Sequence, residues 1–162
     1  NCMLKYVDYD IVFQEVPDEV TLAINLSNCP YRCVGCHSPH LRSDIGEELS
    51  EKALYDLICK YENAITCVCF MGGDAAPAEL CGLAAFIRKK WDHKIRTAWY
   101  SGNNTLQNKE SMRFFDYIKL GEYIQSLGGL NKKTTNQRLY RIHNDTMQDI
   151  TSLMQKYTLS EA

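Results

Sequence analysis

The 162-residue chain is long enough for one core of ordinary size, and two independent domains would each be small, so a single domain over residues 1–162 is the expectation. Its 45% hydrophobic and 23% charged residues are the balance of a folded chain, without repeats or low-complexity tracts. Eighteen basic against twenty acidic side chains leave a net charge of -2, so no overall positive field exists to draw in nucleic acid or anionic lipid, and neither is expected as a partner.

In chain order, the first clear element is "VTLAINLS" (20–27), a short aliphatic run that predicts a buried strand. Ser50 predicts a helix N-cap, with Leu54, Leu57, Ile58 and Tyr61 at helical spacing behind it. "AITCVCFMGG" (64–73) predicts a second buried strand closed by glycines. Pro77 suits the first turn of a second helix, whose stripe of Leu80, Leu83, Ala84, Ile87 and Trp91 ends beside Arg88, Lys89 and Lys90. "KIRTAWYSG" (94–102) predicts a third strand, residues 112–115 a short helix, "DYIKLG" (116–121) a fourth strand and "RLYRI" (138–142) a fifth. Met147, Ile150, Met154 and Tyr157 behind Asp145 predict a terminal helix. Strand and helix alternate, which predicts an α/β fold of mostly parallel strands, either an open doubly wound sheet or an incomplete barrel. In both, sites form at the carboxyl ends of strands. The distinctive residues obey that rule: a cysteine cluster follows the first strand, Gly72-Gly73-Asp74 the second and Tyr100-Ser101-Gly102 the third.

The cluster, "NCPYRCVGCH" (28–37), sets Cys29, Cys33 and Cys36 on one loop with gaps of three and two. A disulfide reading leaves one cysteine over, and no basic-then-apolar export signal opens the sequence, so a reducing cytoplasmic setting is the expectation. A structural zinc site would complete four ligands with His37 or His40. An iron-sulfur cube would take three thiolates on three corners and leave one iron open as a Lewis-acid position, a mark of reactivity rather than electron carriage. Cys59, Cys67, Cys69 and Cys81 lie in hydrophobic segments, where free cysteine behaves as a small core residue; Cys2 has no neighbour that would recruit it. Gly72-Gly73 lets a ligand approach the backbone closely, with an ordinary turn as the alternative. No apolar run approaches the roughly 20 residues that cross a bilayer.

The C-x3-C-x2-C spacing resembles the radical S-adenosylmethionine superfamily, and the glycines after the next strand stand where that superfamily keeps its methionine-binding turn. Over nearly its whole length the chain is similar to the activating proteins of anaerobic ribonucleoside-triphosphate reductases, in "DIVFQEVPDEVTLAINLSNCPYRCVGCHSPHL", "MGGD", "WYSG" and "TTNQRLYRI". It departs from them at Ala75-Ala76, which stand before Pro77, and at Glu122, where relatives often carry proline. The resemblance implies an incomplete (β/α) barrel of the radical type and a [4Fe-4S] cluster on Cys29, Cys33 and Cys36. It implies S-adenosylmethionine bound by Gly72, Gly73, Asp74 and, at the ribose, Ser101, with no catalytic side chain beyond cluster and co-substrate. The implied partners are the reductase's large subunit, whose glycine becomes the radical, and a low-potential electron donor such as flavodoxin. The polar run from Thr134 to Gln137 is read as a set of hydrogen-bonding groups for an extended peptide. Activation of another glycyl-radical enzyme, small-molecule radical chemistry and a zinc-stabilised binding module are the rival readings.

Overall fold

The computed structural model describes residues 4–27 and 39–155. The three cluster cysteines, Cys2, Tyr31, His37 and Tyr157 lie outside these. Eight strands form one sheet: β1 (Lys5–Val12), β2 (Thr21–Leu26), β3 (Glu47–Glu48), β4 (Cys67–Met71), β5 (Arg96–Tyr100), β6 (Tyr117–Leu120), β7 (Arg138–His143) and β8 (Thr146–Asp149). Their spatial order is β3-β1-β2-β4-β5-β6-β7-β8. Two α-helices accompany them, α1 (Glu51–Tyr61) and α2 (Pro77–Trp91), with short 3-10 turns elsewhere.

This corrects the expected barrel of mostly parallel strands. The pairs β2-β4, β4-β5 and β5-β6 are parallel, but β1-β2, β1-β3, β6-β7 and β7-β8 are antiparallel, so antiparallel pairings are the majority of a mixed sheet. The edge strands β3 and β8 do not pair with each other. The cause lies in the connections. A parallel neighbour needs a crossover, usually a helix, and among the described residues α1, α2 and the 3-10 turn Lys109–Phe114 supply the three that the parallel pairs need. The 13–20 link between β1 and β2 carries no helix, and β7 turns into β8 through Asn144 and Asp145 alone.

That last turn also corrects the terminal helix. Asn144 (φ 49°) and Asp145 (φ 60°) both occupy the left-handed region, as a two-residue hairpin of the I′ kind requires. Asp145 therefore sits in a β-turn rather than capping a helix, and residues 151–155 form only a 3-10 turn. The other predicted elements fall where expected. Ser50 caps α1 by accepting from the Ala53 N–H at 3.1 Å, and Pro77 opens α2.

Alternation along the strands divides the sheet into two faces. Leu22, Ile24, Leu26, Val68, Phe70, Trp99, Ile118 and Leu120 face α1 and α2 and form the larger core with Leu54, Ile58, Leu80 and Ile87. The opposite face carries Cys67, Cys69, Ala98, Tyr117 and Leu139. No helix among the described residues covers that face. The 13–19 loop inserts the fully buried Val16 there, and Leu130 and Ile150 complete the cluster. Buried cysteine thus serves as a small core residue at positions 67 and 69, as the sequence suggested.

Candidate cofactor edge

The parallel strands β2, β4, β5 and β6 all point the same way, so residues following them share one edge of the sheet. β2 ends there at Leu26 and Ser27 follows, with Cys29, Cys33 and Cys36 next in the sequence but outside the described residues. β4 delivers Gly72-Gly73-Asp74, β5 delivers Ser101-Gly102-Asn103, and β6 delivers Gly121.

Gly72 (φ 108°) and Gly73 (φ 86°) adopt backbone conformations that residues with side chains rarely reach. The Gly72 N–H donates to the Tyr100 carbonyl at 3.0 Å. Its own carbonyl accepts from the Trp99 indole Nε1 at 2.8 Å. The Gly73 carbonyl accepts from the Ala76 N–H at 3.1 Å, closing the turn into α2. A Cβ on Gly73 would meet Leu26 Cδ1 at 3.0 Å and Leu80 Cδ1 at 3.2 Å. The absent side chain therefore leaves room for the core, and the backbone shape is what the pair contributes toward a ligand.

Asp74 and Ser101 stand together. The Ser101 hydroxyl donates to Asp74 Oδ1 at 2.6 Å, and the Gly102 N–H donates to Oδ2 at 2.9 Å. The fully buried Ser101 Oγ also accepts from the Asn103 N–H at 3.0 Å. These bonds tie the loop after β4 to the loop after β5, so both residues act as a clamp holding the glycine turn against its neighbour. Sequence reasoning singled out both residues as ligand contacts and missed the bond between them.

Lys119, buried near the end of β6, donates to the Gly121 carbonyl at 3.1 Å, with its ammonium 5.6 Å from the Tyr100 ring centre. The Tyr100 hydroxyl donates to the Glu15 carbonyl. Burial first, then the nearby Cys69 and Glu15, push the Tyr100 phenol up. The phenol is thereby held neutral and used to pin the 13–19 loop.

The run from Thr134 to Gln137 spends its side chains on its own loop. Thr134 Oγ1 donates to the Leu127 carbonyl at 2.6 Å and Thr135 Oγ1 to that of Gly128 at 2.9 Å. Asn136 Nδ2 donates to the Glu122 carbonyl at 3.1 Å and Gln137 Nε2 to that of Gly121 at 3.3 Å. These four groups order the long β6-β7 connection, which has no helix to satisfy its backbone.

Two side-chain atoms on this edge, Ser27 Oγ and Asn136 Oδ1, are buried without a hydrogen-bond partner among the described residues. Buried polar groups are seldom left so, and an edge with unspent donors and acceptors fits a bound polar group. The remaining described cysteines are poor candidates for holding a metal. Burial raises the Cys67 and Cys69 thiols well above their ordinary range, disfavouring the thiolates a cluster needs. Among the described residues no three His, Cys, Asp or Glu side chains come together as a metal site, and His40 is exposed. No helix among the described residues is long and apolar enough to cross a membrane.

No curated protein and no solved structure matches the chain. A family profile described as a 4Fe-4S single cluster domain does, over residues 20–143. The match begins at the start of β2 and ends with β7, so it contains the cysteine loop and every strand end that builds this edge. For the chain as a whole it favours a 4Fe-4S cluster over zinc. The chain belongs to the 4Fe-4S single cluster domain family and is an iron-sulfur protein.

Proposed function

We propose that this protein is a radical S-adenosylmethionine activase that generates a glycyl radical on the large subunit of an anaerobic ribonucleoside-triphosphate reductase, drawing electrons from a low-potential donor such as flavodoxin. The observation that supports this is positional. In a 4Fe-4S family chain, the three-cysteine segment follows β2 in the sequence and a Gly-Gly turn follows β4, its parallel neighbour. Cys29, Cys33 and Cys36 hold the cluster, three thiolates leaving one iron open. When bound, the cluster would supply the electron for reductive cleavage of S-adenosylmethionine, the chemistry by which one hydrogen would be taken from the partner's glycine.

The chain's own residues bind, orient and shelter. Gly72 and Gly73 present backbone to the methionine part, and the Asp74-Ser101-Gly102 clamp holds that turn in register with the loop after β5. Leu26 and Leu80 close the floor beneath it against water. The polar 121–137 connection stands beside the same edge. With its side chains committed to its own carbonyls, it offers a partner a preformed surface rather than free hydrogen-bonding groups.

The test combines anaerobically reconstituted protein, a chemical reductant, S-adenosylmethionine and the reductase subunit, read by electron paramagnetic resonance and by release of 5′-deoxyadenosine. A glycyl doublet on the reductase is the expected result. A doublet on pyruvate formate-lyase with none on the reductase would replace the partner and keep the chemistry. Iron-loaded protein that leaves S-adenosylmethionine intact with every partner would defeat the activase reading.

A further inference from the structure

On the helix side of the sheet a groove of about 220 Å³ opens beside the cofactor edge. Small-molecule pockets run from roughly 300 to 1,000 Å³, so this one suits a single long side chain. Leu4, Leu49, Leu83 and Gly82 make its floor, and Glu48, Glu51 and Glu79 its rim. The Leu49 N–H donates to the Leu4 carbonyl at 2.8 Å, and the Ser27 N–H to the carbonyl of the next residue, Lys5, at 3.0 Å, so the floor abuts the end of β2. Glu79, Gly82 and Leu83 share one face of α2, in its first two turns after Gly72-Gly73.

Gly82 is exposed inside α2, and a Cβ there would meet nothing within 4 Å. Apart from proline, glycine is the least favourable residue in a helix interior, and here neither a positive φ nor a neighbour's bulk calls for it. The missing side chain keeps the groove open down to the helix backbone. The three rim glutamates are exposed and in no ion pair among the described residues, whereas the nearby lysines are taken, Lys5 by Asp44 at 3.2 Å and Lys52 by Asp56 at 2.8 Å. The helix dipoles account for Glu51 and Glu79, each in a first turn, but not for Glu48 on β3. Three like charges around one apolar floor repel until a cation arrives.

We infer that this groove receives an arginine side chain of the partner protein, its stem on the leucines and Gly82 and its guanidinium among Glu48, Glu51 and Glu79, so that the partner is held beside the cofactor edge. The partner is the reductase's large subunit, and for that identity the inference rests on the activase reading. Arginine fits better than lysine, because its planar fork engages two carboxylates while its stem lies on apolar surface. An acidic or wholly apolar partner surface would desolvate the carboxylates without a counter-charge.

The experiment measures binding of the reductase large subunit to cluster-loaded full-length protein without oxygen, at low and high salt, for the unsubstituted chain, for Gly82→Gln and for the combined Glu48→Gln, Glu51→Gln and Glu79→Gln variant. Gly82→Gln fills the groove with a better helix former, so the urea midpoint should rise while affinity falls about tenfold, the two moving in opposite senses. The triple variant should lose about tenfold at low salt and little at high salt, because what it loses is charge pairing. Iron content and 5′-deoxyadenosine release without the partner should be unchanged in both. Unaltered affinity in either variant would overturn the inference, and so would a lowered midpoint in Gly82→Gln, which would show the groove closed to a side chain. Self-association of the unsubstituted chain that Gly82→Gln abolishes would seat a second copy there and overturn the assignment to the reductase. If the unsubstituted protein raises the glycyl doublet on the reductase and both variants bind it as tightly, the inference alone falls. If the unsubstituted protein neither binds nor activates the reductase, the functional reading falls and takes the inference with it.

Discussion

The two ends of the same four parallel strands are built on opposite principles. At the amino edge the Glu19 carboxylate, almost wholly buried, accepts from Thr66 Oγ1 at 2.7 Å and the Tyr117 hydroxyl at 2.8 Å, and pairs with Arg96 Nε at 3.3 Å. Nearby, Asp116 accepts from Arg88 Nη2 and the Thr97 N–H, each at 2.9 Å. The exception on that edge is Thr21, whose buried hydroxyl has no nitrogen or oxygen partner and faces the Cys67 thiol. At the carboxyl edge, Ser27 Oγ and Asn136 Oδ1 are both without a partner among the described residues. Since an unmet buried polar group costs about 1 to 3 kcal/mol, the carboxyl edge gives up stability that the amino edge secures. The first edge is completed by the chain itself, whereas the second leaves side-chain polar atoms unmet among the described residues.

The contrast is broken most severely through the cysteines. Replacing Cys29, Cys33 or Cys36 by alanine should remove the visible iron-sulfur absorption and nearly all bound iron. Cys67→Ala or Cys69→Ala should retain both and cost about 1 to 2 kcal/mol in urea denaturation, because each deletes a small volume from a filled core. Iron that survives the loss of Cys33 would show that the cluster is held elsewhere.

The next effect belongs to the amino edge. Glu19→Gln should lower stability by about 2 kcal/mol, since it weakens three hydrogen bonds to a buried charge, while iron content and ligand affinity stay as they were. A change in ligand affinity would mean that the two edges are coupled. The same residue governs an alkaline transition. Burial, and then the Glu19 carboxylate, push the Tyr117 phenol up to about 12 from an ordinary 10.0. The folded state thus holds this proton more tightly than the unfolded chain. Its contribution to stability is complete below pH 10 and is lost as pH rises through about 12. In Glu19→Gln the tyrosinate absorbance should develop at lower pH, and an unmoved titration would remove Glu19 as a cause.

Much of this was legible in the sequence where a local signal has one physical meaning. Ser50 before an amphipathic run, Pro77 in a first turn and two aliphatic runs closed by polar or glycine residues predicted α1, α2 and the parallel centre correctly. The antiparallel flanks were not legible, because the signals there carry two meanings. Asp145 before spaced apolar residues reads as a helix cap, yet Asn144-Asp145 is also a hairpin turn, and only pairing with β7 decides between them. Lys5–Val12 does not show the strict alternation of a half-buried strand, and nothing local says that it pairs backwards with β2. The site divides in the same way. Strand order placed Gly72, Asp74 and Ser101 at one edge, but a serine and an aspartate 27 positions apart give no sign that they bond to each other. Thr134 to Gln137 look like groups on offer, whereas a connection without a helix uses them on its own carbonyls. For Trp99 one signal was present and passed over: a tryptophan inside a buried strand still needs an acceptor for its N–H, and the nearby glycine turn is where it finds one.

The smallest expected effect is also the sharpest division between the edges, because its sign should change. Ser27 is buried, and its N–H is satisfied by the Lys5 carbonyl at 3.0 Å, but its hydroxyl has no partner. In cluster-free protein Ser27→Ala removes a desolvated hydroxyl that earns nothing in return, so stability should rise by about 1 kcal/mol. Thr66→Val, the corresponding change on the amino edge, strips Glu19 of a donor and the Val20 N–H of its acceptor, so stability there should fall by about 2 kcal/mol. If Cys29, two residues on in the sequence, is a cluster ligand, the gain at Ser27 should shrink or reverse in cluster-loaded protein, since hydrogen bonds to sulfur set a cluster's stability and potential. Urea denaturation of the two forms under argon reads the difference. If Ser27→Ala instead destabilises the cluster-free protein, the hydroxyl is already paired within the chain, and the carboxyl edge is more nearly self-sufficient than its counterpart comparison requires.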